Sequence, residues 1–321
     1  MKAVFIRRFG GNEVLEIGER PRPRLRPREV LVRIRAAAVN PRDWMVRSGT
    51  YPFRFTLPRF PIVLGGDFAG EIAATGPGVR RFGVGEDVYG MQRAFGGFGA
   101  FAQFIAVRES VLARIPANLD MQEAAGVPLA ALTAWQGLHA DARLVQGERV
   151  LVNGAAGGVG SFAVQFAAAA GAKVSAVCSA RNLGFVCELG ADEVIDYASR
   201  NFAEGGRQWD VIYDAIGKAS WASCRSLLRP GGRYLTTVPK RADVAASILT
   251  ALPAAMLPGR RYCRLVLVRS DGRELEAISK LIEAGRVRVH VEEVFPLDSV
   301  ARALDRSRTF HTRGKLVVRV P

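Results

Sequence analysis

The stretch from Val150 to Val164, VLVNGAAGGVGSFAV, decides the fold of this chain. An apolar strand, VLVN, runs into a glycine-dense turn and then into a helix rich in small residues. Gly157 and Gly160 leave out side chains where a backbone would approach a pyrophosphate and where a helix would pack closely on a strand. The amides at the start of such a helix can bind an anion. The pattern therefore predicts a dinucleotide-binding turn.

The glycine pattern of this turn is incomplete, since Ala155 holds the place of the first glycine in GxGxxG. Such a match is weak evidence alone, and a plain tight turn in an α/β protein is the alternative. The context favours a cofactor site, because a second strand, KVSAVCSA, follows the helix at the spacing of a βαβ unit. The candidate cofactor-binding residues of the turn are Ala155, Ala156, Gly157, Gly158, Val159 and Gly160.

The composition predicts a chain with a large core and two domains, since it has 321 residues and 49% hydrophobic content. Its apolar runs are too short to cross a bilayer, and its first residues are typical of a strand rather than a signal peptide, so no membrane partner is expected. Four cysteines without CxxC spacing suit a reducing compartment. We therefore expect a cytoplasmic protein.

The formal net charge of +15 suggests a nucleic-acid partner, because basic residues neutralise phosphates. The arginines, however, are spread along the whole chain, with one local cluster at Arg20–Arg28. A proteome rich in arginine explains such a distribution, and part of the charge can attract an anionic cofactor. A nucleic-acid partner is therefore not expected.

The order of elements predicts two architectures in one chain. Residues 1–120 contain short β-rich segments separated by Gly and Pro, which predict a twisted antiparallel barrel. From a helix near 121–139 onward, helices and strands alternate, and this predicts a doubly wound parallel sheet over 121–268. The remaining residues, 269–321, contain a helix, a strand near 287–294, a short helix and a last strand. We expect this tail to complete the first domain.

The motifs that identify a family are REVLVRIRAAAVNPRDW (28–44), RSGTYP (47–52), PIVLGGDFAGEIAATGPGVRRFGVGEDVYG (61–90), VPLAALTAWQGL (127–138), GERVLVNGAAGGVGSFAVQ (147–165), LGADEVIDY (189–197), LRPGGR (228–233) and RGKLVV (313–318). Together they resemble the medium-chain dehydrogenase/reductase superfamily, in its zinc-free, zeta-crystallin-like quinone oxidoreductase branch. The resemblance implies an α/β Rossmann domain with a doubly wound parallel sheet, and an N-terminal GroES-like β-barrel domain completed by the C-terminal segment. It also implies NADPH in the cleft between the domains and a homodimer.

The zinc ligands of related dehydrogenases are missing at the places where the resemblance puts them. Asn40 stands where zinc-containing relatives have a cysteine, and Gly66 stands where they have a histidine. Neither residue ligates zinc well, because zinc prefers thiolate and imidazole donors. The lobe with four cysteines is missing too, and the three histidines have no metal-binding spacing. We therefore expect no metal.

The residues after the second Rossmann strand indicate which nicotinamide cofactor is bound. An acidic residue there would bind the ribose hydroxyls of NAD, whereas this chain offers Ser179 and Arg181. A hydroxyl and a guanidinium can bind a ribose phosphate, so NADPH (NADP) is favoured. By resemblance Tyr197 flanks the same phosphate, with an ordinary tyrosine at a strand end as the alternative.

The resemblance places further residues against the dinucleotide. They are Asn40, Thr133, Ile216, Gly217, Val238, Pro239, His311 and Arg313. Arg313 also has a physical reason, since a fixed cation opposite a pyrophosphate complements a helix N-terminus. A surface arginine is the alternative for that residue.

The predicted chemistry follows from the missing metal. The acceptor must stabilise incoming charge itself, as a quinone or an enone does, and the protein mainly aligns the hydride donor with it. By resemblance Asn40 and Asp43 lie near the nicotinamide, where Asn40 would orient the reactants and Asp43 would hold the local loop. Tyr51 is the candidate hydrogen-bond donor to an enolate or quinol oxygen, with wall packing as the alternative. The phenylalanines that can line an apolar cleft are Phe53, Phe55, Phe95 and Phe98.

The sequence thus predicts a zinc-independent, NADPH-dependent reductase that transfers a hydride directly to a small-molecule quinone or related activated carbonyl conjugate. The nearest alternative is an enoyl or 2-alkenal reductase with the same fold and cofactor, which must also protonate a carbon. A different class is an NADPH-responsive nucleic-acid-binding protein, whose phosphate contacts would weaken steeply with salt.

Overall fold

The structure is a computed structural model that describes residues 1–93, 95–204, 206–254 and 259–321. The chain divides into two compact units, which are Met1–Leu132 with Arg269–Pro321, and Thr133–Val268. The sequence predicted the first domain boundary after residue 120, whereas this division follows Leu132. The difference arises because the helix that begins at Met121 packs on strands of the first unit.

The elements up to the boundary are, in chain order, β1 (Lys2–Ile6), β2 (Glu16–Glu19), β3 (Glu29–Val39), α1 (Pro41–Ser48), β4 (Ile62–Val63), β5 (Asp67–Thr75), β6 (Asp87–Met91), β7 (Phe104–Arg108), β8 (Leu112–Arg114), α2 (Met121–Gly126) and α3 (Pro128–Gln136). The second unit continues with β9 (Arg149–Asn153), α4 (Gly158–Ala169), β10 (Lys173–Cys178), α5 (Leu183–Glu188), β11 (Glu193–Asp196), β12 (Trp209–Asp214), α6 (Trp221–Cys224), β13 (Leu228–Thr236), α7 (Arg241–Ala254) and β14 (Tyr262–Leu265). The tail supplies α8 (Gly272–Glu283), β15 (Val291–Pro296), α9 (Val300–Arg308) and β16 (Lys315–Arg319).

The described residues of the first unit form two sheets. The smaller has the order β2-β1-β4, and the larger has the order β15-β16-β3-β5-β6-β8, with β7 also paired to β3. All of these pairings are antiparallel except that of β15 with β16. The long strand β3 pairs with different strands along its length: its first half pairs with β7 and its last residues pair with β16. The C-terminal strand therefore completes the sheet of the first unit, which confirms that part of the predicted fold.

The small residues at the end of β3 bring three strands close together. Ala36, Ala37 and Ala38 are fully buried, and α2 packs across β3 and β5 at this point. In the register of the sheet, Leu316 of β16 lies opposite Val39. Lys315, which precedes Leu316, and Asn40, which follows Val39, therefore lie near each other where β3 ends and α1 begins. The polar cluster described below lies at this point.

The second unit is the predicted Rossmann fold. Within its described residues, a six-stranded parallel sheet runs in the order β11-β10-β9-β12-β13-β14. Counted within the unit, this is the order 3-2-1-4-5-6, in which two halves run outward from neighbouring central strands. Right-handed crossovers in the two directions place helices on opposite faces of the sheet. The doubly wound parallel sheet is confirmed.

Two predicted elements differ from the structure. The single helix expected near 121–139 is broken into α2 and α3, with a π-helical segment, Gly137–Asp141, after them. Pro128 causes the break, because proline has no amide hydrogen to continue a helix but fits the first turn of a new one. The strand expected near 287–294 runs over Val291–Pro296 instead.

The described part of the chain has no helix long and apolar enough to span a bilayer. All four cysteines are free thiols, of which Cys187 is exposed and the other three are buried. The structure thus contains no disulfide among the residues it describes.

Candidate functional site

The glycine-rich turn lies between β9 and α4, at the carboxyl edge of the parallel sheet. A Cβ atom on Gly160 would lie 2.1 Å from the Gly154 carbonyl oxygen and 2.8 Å from the Ala155 Cα atom. Both contacts are with backbone, so any side chain at Gly160 would push the turn away from the helix. A Cβ on Gly157 would meet only that same carbonyl oxygen, at 3.5 Å. The backbone around Gly160 therefore leaves no room for a side chain, whereas that around Gly157 does.

The first turn of α4 is suited to an anion. Gly157 is its N-cap residue, and among the described residues no side chain caps the amides that follow. Gly158 and Val159 are partly exposed, whereas Ala155 and Ala156 are buried under the turn. Backbone amides at a helix N-terminus carry partial positive charge and bind phosphate groups. The residues present thus fit a pyrophosphate.

Neighbouring loops at the same edge contact this turn. Asn153 at the end of β9 pairs in register with Asp214 of β12, and Asp214 pairs with Thr236 of β13. The residues predicted to bind the cofactor follow these strand ends directly, and they are Ile216, Gly217, Val238 and Pro239. A Cβ on Gly217 would lie 2.7 Å from the Val238 carbonyl oxygen, so these two loops touch. The structure therefore brings the predicted residues of the second unit to one edge.

Asp214 holds the loop after β12 in place. Its buried carboxylate accepts the backbone amides of Gly217 at 3.1 Å and Ala219 at 3.0 Å. It also accepts the Tyr234 hydroxyl at 3.0 Å and the Asn153 amide at 3.0 Å. Asp214 was not among the residues predicted from the sequence, although an aspartate at the end of an apolar strand, shortly before a glycine, was a visible signal.

Ser179 and Arg181 follow the end of β10, and Tyr197 follows the end of the adjacent strand β11. Cys178 of β10 is opposite Asp196 of β11, so Ser179 and Tyr197 follow at the same level, and the Tyr197 amide donates to the Cys178 carbonyl at 3.1 Å. Arg181 and Tyr197 are exposed. The Ser179 hydroxyl accepts a hydrogen bond from the Asn182 side chain at 3.1 Å. The ends of β10 and β11 thus carry a guanidinium, a hydroxyl and a phenol close together along the edge of the sheet.

Thr133 stands at the start of the second unit and is buried. Its carbonyl oxygen accepts the Tyr213 hydroxyl at 2.8 Å, which ties α3 to the end of β12. This contact positions Thr133 through its backbone.

Asn40, in the first unit, is the centre of a buried polar cluster. It is 2% exposed and lies between β3 and α1, whose N-cap it forms. Its side-chain oxygen accepts the Lys315 ammonium at 2.6 Å, and its side-chain nitrogen donates to Asp67 Oδ2 at 3.0 Å. The Lys315 Nζ atom lies 3.9 Å from the same Asp67 oxygen. Lys315 begins β16, Asp67 begins β5, and Asn40 directly follows β3, so three neighbouring strands bring these residues together.

Lys315 and Asp67 were not among the site residues predicted from the sequence. Both stand in motifs that carried the family resemblance, RGKLVV and GGDFAG, and both are charged residues within apolar runs. Burial raises the pKa of the Asp67 carboxyl and lowers that of the Lys315 ammonium, while each opposes the shift of the other through its charge. Charged residues inside apolar strands were the available signal.

Asp43 is fully buried at the start of α1. One carboxylate oxygen accepts the Asn40 backbone amide at 2.8 Å, and the other has no hydrogen-bond partner among the described residues. Burial raises the pKa of this carboxyl to about 7, although the nearby Arg42 charge and the Asn40 amide act in the opposite direction. Asp43 is therefore bonded to the backbone of the turn that holds Asn40, and its carboxyl can carry a proton near neutral pH.

Arg42 occupies the space next to Gly66. A Cβ atom on Gly66 would lie only 1.8 Å from Arg42 Nη2. The same nitrogen donates to the Gly97 carbonyl oxygen at 2.9 Å, and the guanidinium carbon lies 4.8 Å from the centre of the Phe98 ring. Arg42 was not among the residues predicted from the sequence, because nothing in the local pattern shows which glycine it packs against.

The predicted aromatic residues form one cluster in this unit. Tyr51 is buried and makes edge-to-face contacts with Phe53 at 5.8 Å and Phe98 at 6.2 Å between ring centres. Phe53 contacts Phe95 at 4.6 Å and Phe55 at 6.4 Å. Burial raises the pKa of the Tyr51 phenol, which the Arg42 charge partly offsets, so the phenol is a proton donor at neutral pH. Phe55 and Phe95 are exposed, so the cluster reaches solvent.

His311 and Arg313 lie in the segment before β16. His311 is exposed and Arg313 is partly exposed. The Arg313 amide donates to Glu292 at 3.2 Å, and the His311 carbonyl accepts Arg306 at 3.3 Å. These contacts hold the backbone of the segment against α9 and β15.

The described residues contain no group of three or more His, Cys, Asp or Glu side chains able to hold a metal ion. Asn40 and Gly66 stand at the two places that resemblance assigns to zinc ligands. The Asn40 side chain is hydrogen-bonded through both its oxygen and its nitrogen, and the Arg42 guanidinium lies against Gly66. The donors at these places do not fit zinc.

Two families match parts of the chain. Residues 26–117 match the alcohol dehydrogenase GroES-like domain, and residues 189–318 match a family described as zinc-binding dehydrogenase. Among curated proteins, the chain is 34% identical over 328 residues to an NADPH-dependent alkenal/one oxidoreductase of Arabidopsis thaliana, covering 99% of this chain and 79% of that protein. It is 32% identical over 330 residues to a chloroplast envelope quinone oxidoreductase homolog of the same plant, covering 99% and 98%.

Among solved structures, the chain is similar to the quinone oxidoreductase from Coxiella burnetii, with a TM-score of 0.90. The two share 28% sequence identity, and the match covers 100% of this chain and 99% of the other. The similarity therefore extends over both units.

Proposed function

The chain is an oxidoreductase of the medium-chain dehydrogenase/reductase superfamily, in its quinone-oxidoreductase-like branch, and we propose that it reduces quinones or related activated carbonyl conjugates with NADPH. The observation that carries the proposal is the backbone cradle at Gly160, which leaves the first turn of α4 for a pyrophosphate. The names of the relatives, an alkenal/one oxidoreductase and quinone oxidoreductases, support the substrate class.

The choice of NADPH over NADH rests on the residues after β10. Arg181 is exposed. Ser179 stands where NAD-binding proteins have an acidic residue, whose charge would repel a ribose phosphate. A guanidinium binds phosphate through charge-assisted hydrogen bonds, and the adjacent Tyr197 adds a further donor. The name of one relative, which specifies NADPH, also supports this choice.

We further infer that the enzyme needs no metal. When bound, NADPH would supply a hydride, and an acceptor that delocalises charge needs less polarisation than a simple ketone. Asn40 is held by Lys315 and Asp67 in a fixed orientation, from which it would orient the reactants rather than ligate an ion. The Arg42 guanidinium beside Gly66 already provides a positive charge in this region.

The second candidate, an enoyl or 2-alkenal reductase, is favoured by the position of Tyr51. Its phenol lies in the aromatic cluster and keeps its proton at neutral pH, so it could protonate the carbon or oxygen of a reduced enal. Tyr51→Phe separates the two candidates, because it keeps the ring and removes the proton. An enal reductase would lose its turnover, whereas quinone turnover would be spared.

The assembly and location of the enzyme stay proposals. We infer a homodimer, because β14 is an edge strand and the same unit exposes Ile248, Leu249 and Leu267. The free thiols favour a reducing compartment such as the cytoplasm. A nucleic-acid role is the third candidate, and we expect any such binding to be lost at physiological salt.

The proposal is tested by the loss of NADPH absorbance with purified protein. The comparison covers NADPH against NADH, an aromatic ortho-quinone against a simple enal, and each with and without a chelator. We expect NADPH oxidation that the chelator does not change. Activity that a chelator abolishes would overturn the metal-free proposal, and tight NADPH binding without turnover of any acceptor would favour the binding-protein alternative.

A further inference from the structure

We propose that the Arg42 guanidinium binds the carbonyl oxygen of the acceptor and stabilises the negative charge that hydride addition places there. The inference rests on the proposed function and assigns a further residue of the same site. It also explains why residue 66 is a glycine.

The space beside Gly66 is filled by a cation. A Cβ atom at this residue would lie 1.8 Å from Arg42 Nη2 and 2.6 Å from the guanidinium carbon. The backbone of Gly66 lies outside the left-handed region, so its conformation does not require glycine. Space alone requires it. The guanidinium therefore takes up the volume that a side chain at residue 66 would occupy.

The guanidinium is held in one orientation. Its Nη2 atom donates to the Gly97 carbonyl oxygen at 2.9 Å, and its guanidinium carbon lies 4.8 Å from the centre of the Phe98 ring. These two contacts hold the guanidinium, a planar group that carries five N–H donors. Arg42 is 9% exposed, so it is nearly as buried as the core around it. A cation fixed in advance in a dry site stabilises a developing charge far better than one in water.

Arg42 and Tyr51 belong to the same aromatic cluster. Phe98 contacts both the guanidinium and the Tyr51 ring, the latter at 6.2 Å between ring centres. The Arg42 charge also lowers the pKa of the Tyr51 phenol, although burial raises it more. The two side chains therefore offer a cation and a proton donor beside one apolar surface. A flat conjugated acceptor lying on that surface would present its oxygen to both.

The reaction requires such a pair of groups. When bound, NADPH would supply the hydride, and its addition to the β-carbon of an enone would shift the C=C π electrons so that the carbonyl oxygen gains one negative charge. A guanidinium N–H donates more strongly to this oxyanion than to the neutral carbonyl, so it favours the transition state over the bound substrate. The Tyr51 phenol or water then supplies the proton that completes the reduction. The cofactor is left oxidised, so electrons and protons balance.

The first test measures binding of an oxyanion and needs no turnover. The probe is 4-nitrophenol, whose phenolate resembles the reduced acceptor and absorbs at a different wavelength from the phenol. It is titrated into the protein with and without NADP⁺. We expect the wild-type protein to favour the phenolate, and Arg42→Gln to weaken phenolate binding at least 10-fold. Equal binding by the two proteins would overturn the inference.

Gly66→Ala provides an independent variant. The added methyl group meets the end of a flexible side chain rather than backbone, so it should displace the guanidinium while the unit still folds. We expect Gly66→Ala to weaken phenolate binding in the same direction as Arg42→Gln. In the double variant the two effects should not add, because the second change finds no guanidinium in place. Fully additive effects on phenolate binding, or wild-type phenolate binding by Gly66→Ala, would contradict the proposed position of the guanidinium beside Gly66.

Arg114→Gln is the matched control. Its Nη2 atom donates to the Arg81 carbonyl at 2.9 Å and its guanidinium carbon lies 5.2 Å from the Phe82 ring centre, as a carbonyl and a ring also contact Arg42, but Arg114 is exposed and pairs with Glu86 outside the site. We expect it to keep wild-type phenolate binding. With enones, Arg42→Gln should lower kcat by about 100-fold, as for a lost oxyanion donor, and leave the NADPH Kd within 2-fold. No turnover by the wild type would overturn the proposed function, whereas wild-type kcat in Arg42→Gln would overturn only this inference.

Discussion

Asp43 gives the folded protein a pH dependence that one substitution can remove. Its carboxyl is fully buried, and burial raises its pKa from 3.8 to about 7. Between these two values the folded protein keeps a proton that the unfolded chain has released. The stabilisation is therefore complete below pH 3.8 and is lost as pH rises through about 7.

The size of the loss follows from the two pKa values. One pKa unit corresponds to about 1.4 kcal/mol, and integrating the difference in bound protons from pH 5 to pH 8 gives about 2–3 kcal/mol. Asp43→Asn removes the titrating group but keeps an oxygen that can accept the Asn40 amide. Between pH 5 and pH 8 we therefore expect the free energy of unfolding of the wild type to fall by about 2–3 kcal/mol more than that of Asp43→Asn.

The assay is urea denaturation at pH 5, 6, 7 and 8, at one protein concentration. Glu123→Gln is the matched control, because Glu123 accepts the N-cap amide of α2 at 3.1 Å in the same way but is only partly buried. We expect this control to keep the wild-type slope. The same slope in Asp43→Asn and the wild type would refute the argument from burial.

Three other substitutions test single contacts. Gly160→Ala should weaken NADPH binding at least about 10-fold in a fluorescence titration, because its Cβ would lie 2.1 Å from the Gly154 carbonyl oxygen. Gly184→Ala is the control and should bind NADPH as the wild type does, because its Cβ would meet nothing within 4 Å. Arg181→Gln should lower kcat/KM for NADPH about 10-fold and leave that for NADH unchanged, and an equal effect on both would contradict a phosphate contact. Lys315→Met should lower the free energy of unfolding by about 3 kcal/mol in urea, because Asn40 and Asp67 lose a buried partner; a change below about 1 kcal/mol would contradict that role.

The local patterns predicted the second unit well. The glycine turn, the apolar strands and the small-residue helix are set by contacts between residues close in sequence, so the order of elements could be inferred from the chain. The break before Pro128 was visible in the sequence but was not used. The boundary after Leu132 was not visible, because it depends on α2 packing across β3 and β5.

The polar cluster of the first unit could be predicted only in part. Resemblance pointed to Asn40 and Asp43, which are close in sequence. It did not point to Lys315, which lies 275 residues from Asn40 and reaches it only through the register of β16 on β3. The position of Arg42 against Gly66 depends likewise on a side-chain conformation that sequence spacing does not encode.

The central claim is direct hydride transfer to a conjugated acceptor, and deuterium transfer tests it most directly. The enzyme is given an α,β-unsaturated ketone and NADPH deuterated at C4 on the transferred face, and the product is analysed by mass spectrometry and NMR. We predict one deuterium at the β-carbon of the saturated ketone, with the α-hydrogen drawn from solvent. A saturated product that carries no deuterium from NADPH would contradict the account.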